Sequence, residues 1–247
     1  MSKIIEVDNH HHLGDNIFNF IFFNEIKDYI ESNNIIINYY CYKEHHENLK
    51  DFNCSENIKI IACGPHPDEK SHILWQGRGT PHSFYYEDKL CNMFNEFLKK
   101  FEIPIRVNKL EYQDNDLFQR FDKLDDKYKN VDILMVNSKP KSGQIKYDKN
   151  EWDSFAIKLS KKYKIATTQK VDDENVLSLN DFSVKNIAAV ALKVKKIIAI
   201  DTGPSIPLYN TDILENVENV YIFGKNQFKT RKFSLTKSLD DLNFLLE

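Results

Sequence analysis

"KVKKIIAIDTGPSIPLYN", residues 193–210, reads as a strand that runs into a turn able to hold a ligand. Its core, "KIIAID" (196–201), is a short β-branched run of the kind a parallel sheet buries. Asp201, Thr202, Gly203, Pro204 and Ser205 come at its carboxyl end, where open α/β sheets bind ligands. Thr202, Ser205 and the N–H groups around Gly203 suit a phosphate at the start of the next helix. Taken alone, the same residues are equally a plain strand-to-helix turn, with proline at the first helical position.

Working outward, the second half alternates strand and helix. "VDILMVN" (131–137) is a strand, "SKPKSGQIKYDKN" a loop and "EWDSFAIKLSKKY" (151–163) a helix. "KIATT" is a strand, and "NDFSVKNIAAVALKVK" a helix capped by Asn180 or Asp181. "VYIF" (220–223) is a strand and "LTKSLDDLNFLLE" a closing helix. The first half has the same rhythm, with "KIIEV" (3–7), "IIINYYC" (35–41) and "IKIIAC" (58–63) as buried parallel strands. The helix after the first strand shows Ile17, Phe20 and Ile21 against Asn24, Lys27 and Asp28, with Asp15 or Asn16 as N-cap. Residues 64–83 form a loop rich in Gly, Pro and His, and "FYYEDKLCNMFNEFLKKF" resumes an amphipathic helix. The charged stretch 111–130, read as a solvated helix, holds the boundary. The expectation is an α/β chain of two Rossmann-like domains, 1–125 and 126–247.

Bulk properties narrow the class. The 247 residues are 41% hydrophobic and 29% charged, with net charge −3, so no excess of basic charge favours nucleic acid or an anionic membrane. Cys41, Cys54, Cys63 and Cys91 form no CxxC pair and lie in or beside apolar segments, as reduced thiols of a cytoplasmic protein do. The opening residues lack the apolar core of a signal peptide, and no run approaches the roughly 20 apolar residues of a membrane span. A cytoplasmic location without a transmembrane segment is therefore expected. Only 7 glycines occur, so those kept in loops are the ones a loop needs.

"LNDFSVKNIAAVALKVKKIIAIDTGPS", followed by "VYIFG", resembles the carboxyl-terminal portion of the heptosyltransferase-like glycosyltransferases, the relatives of the ADP-heptose:LPS heptosyltransferases. There a helix precedes a hydrophobic strand, a D-T-G-P loop and a later strand ending in Phe-Gly, here Phe223 and Gly224. "HLGDNI" (12–17) resembles that family's opening glycine–aspartate loop. The resemblance implies the GT-B fold, two Rossmann-like domains facing across a cleft, with a nucleotide-diphosphate sugar held mainly by the second. It implies metal-independent, inverting transfer of the sugar to a hydroxyl of a glycan or glycoconjugate, with no cofactor. The chain departs from the family where "SIPLYNTDI" replaces a histidine and an alanine run, and it is shorter. Heptose is therefore not carried over as the sugar, and a trimmed acceptor domain is expected.

The candidate site residues follow. Inverting transfer needs a base for the acceptor hydroxyl, and the aspartate of the opening loop matches Asp15. Gly14 lets backbone pass close to substrate. Ser138, Lys141, Ser142, Gly143 and Gln144 suit a diphosphate, joined by Asp201, Thr202, Gly203, Pro204 and Ser205. His12, His66, Trp75, Arg78 and His82 are placed on the acceptor side, with Trp75 to stack on a sugar and Arg78 to pair an anion. Each has a structural alternative: Asp15 as a helix cap, 138–144 as a solvated basic loop, the histidines and Trp75 as loop packing. All 8 histidines lie in the first 82 residues, but the consecutive His10, His11 and His12 point different ways and do not make a zinc site. "DDEN" (172–175) contacts the donor's ribose or base, or is a solvated turn. Two rivals remain: a nucleotide-sugar epimerase or hydrolase using Glu174, His66 or His82, and a non-catalytic nucleotide-sugar-binding protein. No GxGxxG follows any strand, which argues against a dinucleotide oxidoreductase.

Overall fold

The apolar runs become the strands of two parallel sheets, in a computed structural model that describes residues 2–52, 54–64, 71–75, 86–110, 117, 126–140, 145–179, 183–224 and 232–247. The chain divides into two compact units, Met1–Leu117 and Phe118–Glu247.

In the first unit, β1 (Lys3–Asp8), β2 (Ile35–Tyr42), β3 (Ile58–Cys63) and the two-residue β4 (His72–Ile73) lie in the order β3-β2-β1-β4. All three pairings are parallel. The run at β2 reads as continuously apolar, yet its burial alternates: Ile35, Ile37, Tyr39 and Cys41 are buried and the residues between them half-buried. One face is therefore closed and the other partly open, and on β1 Ile4 stays 58% exposed. β4 lies inside the segment expected to be loop. Two residues are too few for any periodicity to register.

α1 (Leu13–Glu25) lies against this sheet, followed by α2 (Lys27–Ser32), α3 (Lys43–Leu49) and α4 (Tyr86–Lys100). Every residue of α1 from Asn16 to Asn24 is buried, so it is an enclosed helix and has no polar stripe. Phe20, Phe22, Phe23, Phe94 and Phe97 are fully buried, each worth about 1.5–3 kcal/mol, and Phe22 stacks on Phe94 with centroids 4.1 Å apart. α1 also begins earlier than expected. Its N-cap is His12, with neither Asp15 nor Asn16 in that role. Asn16 instead donates its amide back to the His12 carbonyl at 2.9 Å. Asp15 lies in the first turn, where a negative charge suits the helix dipole.

The second unit holds β5 (Ile133–Val136), β6 (Ile165–Thr167), β7 (Val176–Ser178), β8 (Lys196–Ile200), β9 (Asn219–Phe223) and β10 (Phe233–Thr236). They form one parallel sheet in the order β10-β9-β8-β5-β6-β7. β5 and β6 are buried at every residue, as continuous apolar runs predict. Helices α5 (Lys149–Ser160), α6 (Val184–Ala191) and α7 (Thr211–Asn216) complete the unit. Trp152 and Phe155 of α5 pack with Ile133, Met135, Ile198 and Phe223 into one core.

Two local expectations are corrected here. Ser183 caps α6, its hydroxyl accepting from the Asn186 N–H at 3.2 Å; the expected caps, Asn180 and Asp181, lie outside the described residues. The closing segment is no single helix. Its first residues belong to β10, which pairs with β9, and only Leu239–Leu245 turns, as 3-10 helix. Asp241 accepts from the N–H groups of Lys237 and Ser238, which ends the strand and starts that turn. Of the stretch expected as a solvated helix, 126–128 is a 3-10 turn, and all but Leu117 of 111–125 lies outside the described residues. No helix among the described residues is long and apolar enough to cross a membrane.

Candidate functional site

Chain order and sheet order locate the site. In the second unit the chain lays β6 and β7 outward from β5, then returns to place β8 on the other side of β5. The crevice outside β5 and β8 is therefore the topological switch point, the ordinary ligand position in such sheets. Asn137 and Ser138 follow β5, and Asp201, Thr202 and Gly203 follow β8. The first unit repeats this device: β2 and β3 lie to one side of β1 and β4 to the other. Past β1 comes the loop Asn9–His12, which leads into the first turn of α1 with Asp15, and past β4 come Leu74 and Trp75.

At β5 the polar groups are tightly organised. Asn137 accepts at Oδ1 from the N–H of Thr168 (3.1 Å), the N–H of Gln169 (3.0 Å) and the Thr168 hydroxyl (3.1 Å). Its own N–H donates to Thr168 Oγ1 at 2.9 Å, and Ser138 Oγ lies 3.0 Å from the same hydroxyl. The network clamps the ends of β5 and β6 together and holds the loop that starts at Ser138. The exposed cation nearest in sequence is Lys139.

At β8 the turn is built largely from itself. Ser205 is fully buried; its hydroxyl donates to the Thr202 carbonyl at 2.7 Å and accepts from the Thr202 N–H at 3.1 Å. Ser205 therefore shapes the loop. Pro204 is buried as well, and it is the second residue of the 3-10 turn Gly203–Tyr209, one place later than the sequence suggested. Asp201 accepts from Tyr209 Oη at 3.1 Å, while its N–H donates to the Phe223 carbonyl at 2.8 Å. Gly224 packs directly on Asp201: at its φ of +151°, a Cβ would stand 2.4 Å from the Asp201 Cβ. The Phe-Gly that ends β9 is thus a close-approach position. Asp201, Thr202 and Gly203 are the partly exposed residues of the loop.

In the first unit the loop between β1 and α1 is held by side chains distant in sequence. Asn9 accepts from the His11 N–H at 3.0 Å and donates to the Leu74 carbonyl at 3.0 Å, joining β1 to β4. The Tyr39 hydroxyl donates to Asn16 Oδ1 at 2.7 Å and accepts from Asn19 at 2.9 Å. Burial pushes the Tyr39 phenol well above its ordinary range, so it remains a neutral donor. His45, buried on α3, bonds through Nε2 to the His11 carbonyl at 2.6 Å. Trp75 stacks on His11 with centroids 3.4 Å apart, and burial lowers the His11 pKa. Gly14 and Asp15 are partly exposed and His12 is exposed.

The structure thus brings Trp75 to the loop that ends at His12, with Gly14 and Asp15 in the first turn of α1 just beyond it, and Ser138 to the strand end beside Asp201–Ser205. Lys141, Ser142, Gly143 and Gln144 lie outside the described residues, as do His66, Arg78 and His82. Sequence reading missed Asn9, Tyr39, His45, Asn137, Thr168 and Tyr209. Asn9, Asn137 and Thr168 carried a signal, as polar residues immediately past their strands. Among the described residues no group of three or more His, Cys, Asp or Glu side chains is placed to hold a metal ion.

No family sequence model matches the chain, and no curated protein matches it in sequence. Its fold does have relatives among solved structures. The E. coli heptosyltransferase WaaC with ADP-2-deoxy-2-fluoro heptose superposes with a TM-score of 0.54 at 10% identity, over 95% of this chain and 93% of that one. A glycosyl transferase family 9 protein from Veillonella parvula DSM 2008 gives 0.52 at 12% identity, over 99% and 91%. The E. coli ADP-heptose lps heptosyltransferase II gives 0.51 at 11% identity, over 99% and 98%. The chain has the α/β fold of two parallel sheets found in these GT-B heptosyltransferases.

Proposed function

We propose that the protein is a glycosyltransferase that moves a sugar from a nucleotide-diphosphate donor to a hydroxyl of a glycan or glycoconjugate. The carrying observation is that the candidate loops of both units occupy switch points of parallel sheets, in a fold shared with heptosyltransferases. The donor diphosphate lies against the second unit's crevice, between Ser138 and the partly exposed Thr202–Gly203 turn, with Lys141, Ser142, Gly143 and Gln144 as its further ligands. An ADP-sugar is the first donor class to test, since WaaC is seen with ADP and with an ADP-sugar analogue.

Asp15 is the base. Its carboxylate takes the proton of the acceptor hydroxyl as that oxygen attacks the anomeric carbon and the nucleoside diphosphate leaves from the opposite face. His12 and Trp75 bind the acceptor from the same switch point. No step requires a metal ion; charge on the leaving diphosphate is met by lysine and by the Gly203 amide.

Thermal-shift measurements against ADP-, UDP-, GDP- and CMP-sugars test donor binding, because a ligand raises the melting temperature by mass action. Asp15→Asn then tests the chemistry: donor affinity should hold while kcat falls about 10²–10⁴-fold. Transfer at the wild-type rate by Asp15→Asn would remove Asp15 from the mechanism. Products that are only isomerised or hydrolysed donor would replace transfer with epimerase or hydrolase chemistry.

A further inference from the structure

At the carboxyl edge of the first sheet, three side chains outside the proposed transfer chemistry line up in sequence: Asp8, His10 and Cys63. β3 ends on Cys63 and β1 on Asp8, with β2 between them; Tyr42, in register with Cys63, sets its ring edge-on to His10 at 4.9 Å. The imidazole spans that gap. Its Nε2 is 3.1 Å from Cys63 Sγ, and its Nδ1 is 3.7 Å from Asp8 Oδ1. Asp8 is 6% exposed, and its other oxygen accepts from the Ser71 hydroxyl, which fixes the carboxylate facing the ring.

From this geometry we infer that Cys63 is a nucleophilic thiol for small neutral electrophiles, with His10 as its base and Asp8 as the group that orients and stabilises the imidazolium. The imidazole Nε2 is within hydrogen-bond reach of the sulfur and the Asp8 carboxylate faces Nδ1 as a charge contact, in the nucleophile–base–orienter order of covalent catalysis. The thiol does not stand as a thiolate. Burial and the Asp8 charge push its pKa up, so its reactivity depends on proton transfer to His10 within the pair. When the sulfur lone pair attacks an alkyl carbon, the C–S bond forms and the leaving group departs with its electron pair. The thiol proton passes to His10 Nε2, and then to water. Asp8 also disfavours an anionic electrophile. Of the other cysteines, Cys41 is buried with its pKa raised to about 12, Cys91 is buried, and Cys54 is half-buried, which makes Cys54 the reference of comparable access.

The test is competitive alkylation of the full chain at pH 7.5 with iodoacetamide and, separately, iodoacetate, read cysteine by cysteine by peptide mass spectrometry. Cys63 should react with iodoacetamide about tenfold or more faster than Cys54. Its preference for iodoacetamide over iodoacetate should also exceed that of Cys54. His10→Gln should remove the Cys63 advantage and leave the Cys54 rate unchanged. Cys63 reacting no faster than Cys54 in the wild-type chain overturns the proposal whether or not the variant folds. An undiminished Cys63 rate in folded His10→Gln overturns it too.

Discussion

The two switch-point loops occupy the same place in the two units and are supported in opposite ways. The loop after β8 closes on itself: Ser205 satisfies both the N–H and the carbonyl of Thr202, three residues away. Its long-range fastenings are the contacts of Asp201 with Phe223, Gly224 and Tyr209. The loop after β1 is fastened by α1, β2, α3 and the residues past β4, through Asn16, Tyr39, His45, Leu74 and Trp75. A loop built locally keeps its shape from its own residues. One built from distant side chains is only as firm as the packing of its whole unit.

The sharpest way to break the second-unit loop is Gly224→Ala. The added methyl meets the Asp201 Cβ at a φ that side chains rarely adopt. Strain and overlap together should cost roughly 2–4 kcal/mol in urea denaturation. Wild-type stability in that variant would show that Gly224 does not pin the loop.

In the first-unit loop the matching test is Tyr39→Phe. It leaves Asn16 Oδ1 without its buried donor, at a cost of about 1–3 kcal/mol. Hydrogen exchange should rise through Asn9–Asn16, far from the substitution in sequence. Exchange unchanged in that loop would mean that the polar network does not hold it.

A smaller effect is expected for Ser205→Ala, about 0.5–2 kcal/mol from loss of the local cap. Because Ser205 is fully buried, calorimetry should show donor affinity reduced only as far as the loop loosens. A loss of donor affinity with stability intact would instead make Ser205 a direct ligand.

The smallest contrast concerns acid. His11 and His72 both have pKa values lowered, chiefly by burial, while no histidine occurs beyond residue 82. Their unfolded forms bind protons first, so stability present above about pH 6.5 is lost as pH falls below it. Both side chains keep some exposure, which makes the effect modest. Protection factors, taken relative to intrinsic exchange at each pH from 7 to 5.5, should fall in the first unit before the second, and equal loosening of both would contradict this.

Legibility in the sequence followed the range of the interactions. β1, β2, β3, β5, β8 and β9 coincide with apolar runs, because a buried strand writes its environment into consecutive residues. β4, β7 and β10 lie in stretches with no continuous apolar run, and they exist because a neighbouring strand pairs with them. The α1 cap was misplaced for a related reason. Asp15 is a good cap by type, but the helix starts at Leu13, as soon as the loop from β1 has turned.

By itself, then, the sequence determined the alternating α/β class, the strands that form the sheet centres and the glycine-bearing loops that follow them. Those features depend on burial along short segments and on turn chemistry within a few residues. Only the tertiary structure decided the strand order that makes β1/β4 and β5/β8 switch points. It also turned Ser205 inward, gathered Asn9, Tyr39 and His45 around the loop that leads to Asp15, and set His10 against Cys63, 53 positions further along the chain. Each of these joins groups remote in the chain, and such contacts form only when the folding of the whole unit repays the entropy of bringing them together.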